Sequence, residues 1–131
     1  MNIGELSKET RVPAKTIRYY EEIGLLPEAS RGNNGYRHYQ PQDVDRLVFL
    51  RRARAFGFTL EECRGLLDLL NDPKRKSADV KALTEAHLAE LDAQLKELRA
   101  LRKQLGELSD ACSGDDSADC AILDALQARR Q

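Results

Sequence analysis

The sequence predicts a mostly α-helical protein in three parts. These are a winged helix-turn-helix head over residues 1–71, a long self-associating helix within 72–108, and a loop with a short helix over 109–131. Three observations predict this arrangement. Two short amphipathic stretches are separated only by Thr10-Arg11-Val12, the tight spacing of a helix-turn-helix. An Asn-Gly pair set among Arg and Tyr residues marks a β-hairpin. Leucines then recur in steps of four and three through a highly charged stretch, as in a coiled coil.

Each element has a local reason. The first helix, 3–10, has Asn2 as its N-cap and Ile3 and Leu6 as apolar residues. Pro13 suits the first position of the second helix, which runs to about Glu22, and Gly24 supplies a left-handed stop. Such turns often carry Gly, and here Arg11 takes that place. Ser30–Tyr39 reads as the hairpin, because both central residues of a type I′ turn need positive φ and Asn34-Gly35 provides them. Pro41 opens a third helix to about residue 56, with Leu47, Leu50 and Phe56 in its apolar stripe and Gly57 ending it. Thr59-Leu60-Glu61-Glu62 is a capping box for a fourth helix, about 59–71, which Asn71-Asp72-Pro73 breaks.

The long helix is expected from about Ser77, a good N-cap, to Leu108, a span of about 48 Å at 1.5 Å per residue. Leu88, Leu91, Leu95, Leu98 and Leu105 fall on heptad steps if Arg102 fills the missing seam position. The stripe can pack on its own domain or on a second copy. A helix of this length outruns partners of three turns, which favours a homodimer seam. After a loop with two Cys, a short helix at 121–128 carries Ile122, Leu123 and Leu126.

Composition narrows the function. The chain has 131 residues, of which 41% are hydrophobic and 5% aromatic, with no Trp, so its core is thin. The net charge of −1 hides an asymmetry: residues 1–54 carry 10 Lys and Arg against 7 Asp and Glu, and residues 55–131 carry 11 against 15. A basic front and an acidic back indicate two tasks in one chain. No apolar run reaches membrane-spanning length and Met1–Leu6 lacks the pattern of a secretory signal. Three Cys are too few, and odd in number, for a secreted disulfide scaffold. A cytoplasmic protein without a membrane partner is expected. Catalysis is not: the only His residues, His38 and His87, have no evident nucleophile beside them, and no Gly-rich phosphate loop is present.

On the second helix Lys15, Arg18, Tyr19 and Glu22 share one face. Arg and Lys can donate to guanine acceptors and Tyr can reach a phosphate or a thymine methyl, so this face fits a major groove. Taken alone, it reads better as an ordinary solvated face. The hairpin shifts the balance, because Arg31, Asn34, Gly35, Tyr36, Arg37 and Tyr39 crowd basic and hydroxyl groups into nine residues, as a phosphate clamp does. Arg51, Arg52 and Arg54 add positive charge, and Arg54 is the one assigned to phosphates. His38 is expected beside solvent or phosphate, and His87 in a surface or packing role.

Three segments carry a family resemblance: Arg18-Tyr19-Tyr20-Glu21-Glu22-Ile23-Gly24-Leu25, Asn34-Gly35-Tyr36-Arg37-His38-Tyr39, and Ala55-Phe56-Gly57-Phe58-Thr59-Leu60-Glu61-Glu62. In this register they resemble the signatures of the MerR family, along the whole chain. The resemblance implies a homodimeric transcription regulator with an antiparallel coiled-coil dimer helix. It implies a near-palindromic operator in promoter double-stranded DNA whose polymerase-recognition elements lie too far apart. Effector binding then bends and untwists that DNA so that RNA polymerase can use it. Such distortion costs a few kcal/mol, which phosphate contacts must offset. The expected DNA-contacting set is Lys15, Arg18, Tyr19, Tyr20, Arg31, Asn34, Gly35, Tyr36, Arg37, Tyr39 and Arg54.

The effector site is expected in the acidic back. Cys112 and Cys120 flank Ser113-Gly114-Asp115-Asp116-Ser117-Ala118-Asp119, short enough to bring two thiolates to one ion. Two soft sulfurs without an evident third or fourth ligand suit Cu(I), whereas structural zinc wants four. Taken bare, the pair reads equally as buried inert Cys or as an adventitious disulfide. The segment Ala111–Cys120 resembles the metal loop of the copper-responsive branch of the family, which implies linear two-Cys coordination of Cu(I), Ag(I) or Au(I). In the mercury- and zinc-responsive relatives a Cys stands where this chain has Ser77, so Ser77 is expected near the metal without being a thiolate ligand. Zinc, cadmium or redox sensing is the alternative. Some copper sensors end in a Cys- and His-containing tail, and this chain ends Gln127-Ala128-Arg129-Arg130-Gln131. Cys63 is read as a small buried side chain.

Overall fold

The computed structural model describes residues 1–31 and 37–128, with Arg31 described in its backbone alone. Two compact units are present, Met1–Val80 and Lys81–Gln131. The elements in order are α1 (Ile3–Thr10), α2 (Ala14–Glu22), β1 (Ser30–Arg31), β2 (Arg37–His38), α3 (Pro41–Ala55), α4 (Leu60–Leu70), α5 (Ser77–Ala111) and α6 (Ala121–Gln127).

Local chemistry starts and stops the head's helices. Asn2 Oδ1 accepts from the Glu5 N–H at 2.8 Å, a capping box that satisfies donors at the start of α1. Arg11, just after α1, takes the left-handed conformation at φ +62, and its N–H donates to the Ser7 carbonyl. The turn therefore has the backbone that Gly usually supplies, held here by an arginine. Pro13 stands one position earlier than expected, as the N-cap of α2 rather than its first helical residue. Gly24 follows α2 at φ +79. Arg64 of α4 donates to the carbonyls of Ile23 at 2.6 Å and Gly24 at 3.4 Å, which satisfies acceptors at the C-terminal end of α2. At α4, Thr59 Oγ1 accepts from the Glu62 N–H while Glu62 accepts from the Thr59 N–H.

The core of the head is small and aliphatic. Leu6, Ile17, Leu26, Leu47 and Leu50 are fully buried, joined by Thr10 and Cys63. Thr10 fits because its hydroxyl donates to the Leu6 carbonyl at 2.8 Å and accepts from the Val12 N–H. Helix α1 packs on α2 and α3, and α4 packs on α3. Phe56 departs from the expected α3 stripe: it is the helix's C-cap residue and is 73% exposed, while Phe58, two residues on, is buried instead.

Strands β1 and β2 pair antiparallel, with Ser30 opposite His38 and Arg31 opposite Arg37. The expected Asn34-Gly35 turn, with Tyr36, lies outside the described residues. The base of the hairpin is tied to the chain start: the Met1 amino group donates to the Tyr39 carbonyl at 3.1 Å and the Tyr39 N–H donates back to the Met1 carbonyl at 2.9 Å.

In the second unit, α5 is 35 residues long and ends at Ala111, three residues beyond the expected Leu108. Ser109-Asp110-Ala111 contains no helix breaker, and the left-handed residue comes later, at Gly114. Leu88, Leu95, Leu98, Leu101 and Leu105 are all about half exposed or more, and His87 is the buried residue of α5. No helix among the described residues is long and apolar enough to cross a membrane.

The strained turn gives a test. Arg11→Gly should raise stability by about 1 kcal/mol, since a non-Gly residue held at positive φ costs roughly that much. Thermal unfolding of both proteins measures it, and a lower melting temperature for the Gly variant would contradict the strain.

Candidate nucleic-acid face and thiol site

The outer face of α2 stands as the sequence pattern implied. Lys15, Arg18, Tyr19 and Glu22 are exposed, while Ile17 and Tyr20 turn inward. Tyr20, a member of the expected DNA-contacting set, is largely buried, and the reason is helical phase, since it follows Ile17 by three residues and shares its buried face. Burial pushes its hydroxyl pKa up, partly offset by the nearby Arg54 charge.

Tyr39 is a second such member. It is 3% exposed, and its hydroxyl donates to Glu21 Oε1 at 2.5 Å. Burial, followed by that hydrogen bond, pushes its pKa up to about 12. It thus stays protonated as a donor across the physiological range, with Glu21 as the partner of its hydroxyl.

Glu21 is the residue that the sequence reading passed over. Its side chain is only 4% exposed, although it sits on α2 between the outward Tyr19 and Glu22. Among the described residues three donors converge on it: Tyr39, the Arg37 guanidinium at 3.5 Å, and the backbone N–H of Ala29 at 3.2 Å. The sequence carries no signal for this, because the partners lie 8, 16 and 18 positions away. Arg37 remains one-third exposed, so it pairs with Glu21 and still reaches solvent. Arg54 is exposed but donates to the Phe58 carbonyl at 2.8 Å, bridging the end of α3 to the start of α4. Arg31 is described only in its backbone, and Asn34, Gly35 and Tyr36 lie outside the described residues.

The cysteine loop lies wholly in the second unit. Cys112 and Cys120 are half-buried free thiols whose sulfurs are 3.7 Å apart, with the Cys112 thiol donating to Cys120. Short-range polar turns bring them together. The Ser117 N–H donates to Asp115 Oδ1 at 2.8 Å, the Asp119 N–H donates to Ser117 Oγ at 3.1 Å, and Gly114 supplies a left-handed residue. Cys120 is the N-cap of α6, and the N–H of Leu123 followed by the Cys112 thiol lowers its pKa. Hydrogen bonds from Ser117 and Ser113 likewise lower the pKa of Asp115. The sulfur gap is shorter than the roughly 4.6 Å that two metal–sulfur bonds of about 2.3 Å span in line, so one ion can engage both sulfurs at a bend, and in line once the sulfurs part by about 1 Å. Cys63 is different in kind: it is fully buried in the head, and burial raises its pKa. Ser77 is the first residue of α5 and lies in the other unit, Met1–Val80.

Comparison with known proteins gives two family matches. Residues 1–70 match "MerR HTH family regulatory protein" and residues 44–108 match "MerR, DNA binding". The chain is 52% identical over 127 residues to the HTH-type transcriptional regulator HmrR of Rhizobium leguminosarum bv. viciae, covering 96% of this chain and 97% of that protein. It is 48% identical over 126 residues to the HTH-type transcriptional regulator CueR of Salmonella typhimurium, covering 96% and 91%. Among solved structures it is similar to the transcription regulator PbrR691 of Ralstonia metallidurans CH34 in complex with lead(II), with 41% identity, a TM-score of 0.82 and coverage of 96% and 98%.

The thiol environments make different demands on an alkylating reagent. Cys120 should react with iodoacetamide with an apparent pKa below the ordinary value of about 8.5, while Cys63 should stay unmodified until the chain is unfolded. Peptide mass mapping across a pH series reads both. Equal rates at Cys63 and Cys120 in the native protein would contradict the two environments.

Proposed function

The chain belongs to the MerR family of helix-turn-helix regulatory proteins, and from that premise we propose a homodimeric, promoter-binding transcription activator that responds to Cu(I), or to Ag(I) or Au(I), through Cys112 and Cys120. In this reading residues 1–71 bind DNA, residues 72–108 dimerise, and residues 109–131 sense the metal. The observation that carries the metal assignment is the convergence of two accessible thiols at 3.7 Å, one of them already favoured as thiolate by backbone N–H groups.

The charge argument supports a monovalent ion. A soft monovalent ion supplies a bond to each sulfur, leaving a bis-thiolate group of net charge −1. The N–H groups of Leu123 and Ile122, which lower the Cys120 pKa, offset that charge. A divalent ion needs further ligands. By the family resemblance, Ser77 stands where divalent-sensing relatives carry a Cys, and it has no thiolate to give; Asp115, Asp116 and Asp119 are hard donors. The divalent reading draws on the lead(II)-bound relative, and the donor set weighs against it. Pinning Cys112 to Cys120 fixes the start of α6, whose Leu123 and Leu126 are exposed apolar side chains able to report the change.

On the DNA side, Arg18 and Lys15 are assigned to base edges or adjacent phosphates, and Tyr19 to a phosphate or a thymine methyl. Arg37, with Arg31, Asn34, Gly35 and Tyr36, is assigned to the phosphate clamp. Arg54 is kept as a phosphate neighbour, with its Phe58 hydrogen bond as its first role. The exposed leucines of α5 are assigned to the seam with a second copy, since a contiguous apolar stripe on an otherwise charged helix marks an interface. RNA polymerase is the partner at the same promoter.

Two variants test the assignment. With Cys112 and Cys120 both changed to Ser, copper-dependent transcription should vanish while operator affinity stays nearly unchanged; a copper response that survives would refute the site. Arg18→Ala should cost about 1–3 kcal/mol on the specific operator and much less on random duplex, if it reads a base. An equal loss on both DNAs in a binding titration would move Arg18 to the phosphates.

A further inference from the structure

We propose that Glu21 is a positioning residue for DNA recognition: it holds the hairpin at a fixed place against α2, so that Arg18 and Arg37 address one DNA site together. This inference rests on the promoter-binding reading above and concerns a residue that touches no DNA itself.

The geometry is a two-legged grip. Ala29, whose N–H donates to Glu21 Oε2, immediately precedes β1. Arg37 and Tyr39, which converge on Oε1, lie in β2 and just after it. One buried carboxylate on α2 thus takes hold of both ends of the hairpin base. The grip is obligate, because a carboxylate 4% exposed is costly unless hydrogen-bond donors surround it. It is also directional. Tyr39 is held as a donor by its raised pKa, and its backbone is fixed by two hydrogen bonds to Met1.

The grip matters to recognition because of what flanks it. Arg18 precedes Glu21 by three residues on α2 and is exposed. A groove beside them is lined by Arg18, Glu21, Glu22, Glu28 and Arg37. The two arginines are therefore cations on separate elements, with Glu21 as the link between those elements. Specific binding requires both elements to meet one duplex in a fixed relation, whereas non-specific binding requires only positive charge near phosphate. Loss of the link should therefore reduce specificity more than general affinity.

The test uses a duplex selected by the wild-type protein from a random pool, beside an unselected duplex of equal length. Glu21→Ala should lose tenfold or more in affinity for the selected duplex and less than threefold for the unselected one. Glu21→Gln, which keeps one acceptor oxygen, should fall between wild type and Ala. Tyr39→Phe combined with Glu21→Ala should bind no worse than Glu21→Ala alone, because both remove one linkage. Circular dichroism sets a temperature at which every variant is folded. A folded Glu21→Ala that keeps the wild-type ratio between the two duplexes, or losses that multiply in the double variant, would overturn the role of Glu21. A wild-type protein that selects no duplex would instead overturn the promoter-binding reading.

Discussion

The hairpin's place in the head depends on one largely buried carboxylate side chain. Glu21 sits on the helix that offers Lys15, Arg18 and Tyr19 to the outside, yet its own carboxylate points into the protein. A charge in that position must be surrounded by donors, and the donors come from both ends of the hairpin. The hairpin itself is too small to fix its own position, with two residues in each strand. Its placement follows from Glu21, from the Met1–Tyr39 exchange, and from the burial of the Tyr39 ring. The aliphatic core of Leu6, Ile17, Leu47 and Leu50 holds α1, α2 and α3 together, and the carboxylate adds the hairpin to them.

Elements fixed by neighbouring residues were legible in the sequence. The N-cap at Asn2, the capping box at Thr59, the stop at Gly24 and the start of α3 at Pro41 all depend on residues within a turn of one another, and all appear as expected. What was not legible depends on distant partners. Tyr19 and Tyr20 are adjacent and chemically identical, yet one faces out and the other in, because only Tyr20 follows the Ile17 phase. Tyr39 lies among basic residues and reads as another outward hydroxyl, and its true partner is a carboxylate 18 residues away. Phe56 shows the same limit: at the end of α3 a stripe position no longer has core beneath it, and Phe58 takes the burial.

The approach of Cys112 to Cys120 is a short-range feature and was correspondingly easier to foresee. The residues between the two Cys are turn formers, and their Asp and Ser side chains hydrogen-bond the loop backbone. The less visible part is electrostatic. The lowering of the Cys120 pKa by the nearby Leu123 and Ile122 N–H groups depends on α6 starting immediately after that Cys. The acidic balance of the back half and the basic balance of the front then have separate physical meanings. In the proposed reading, a site for a soft cation tolerates nearby carboxylates, whereas a surface for phosphates requires Lys and Arg.

The central claim is that two thiolates, unaided by a third, set the metal to which the protein responds. An anaerobic titration of the purified protein with Cu(I), Ag(I) and Zn(II), read as transcription from its promoter, tests it most directly. The account predicts activation by Cu(I) and by Ag(I) and none by Zn(II). Activation by Zn(II) with no response to Cu(I) would contradict it.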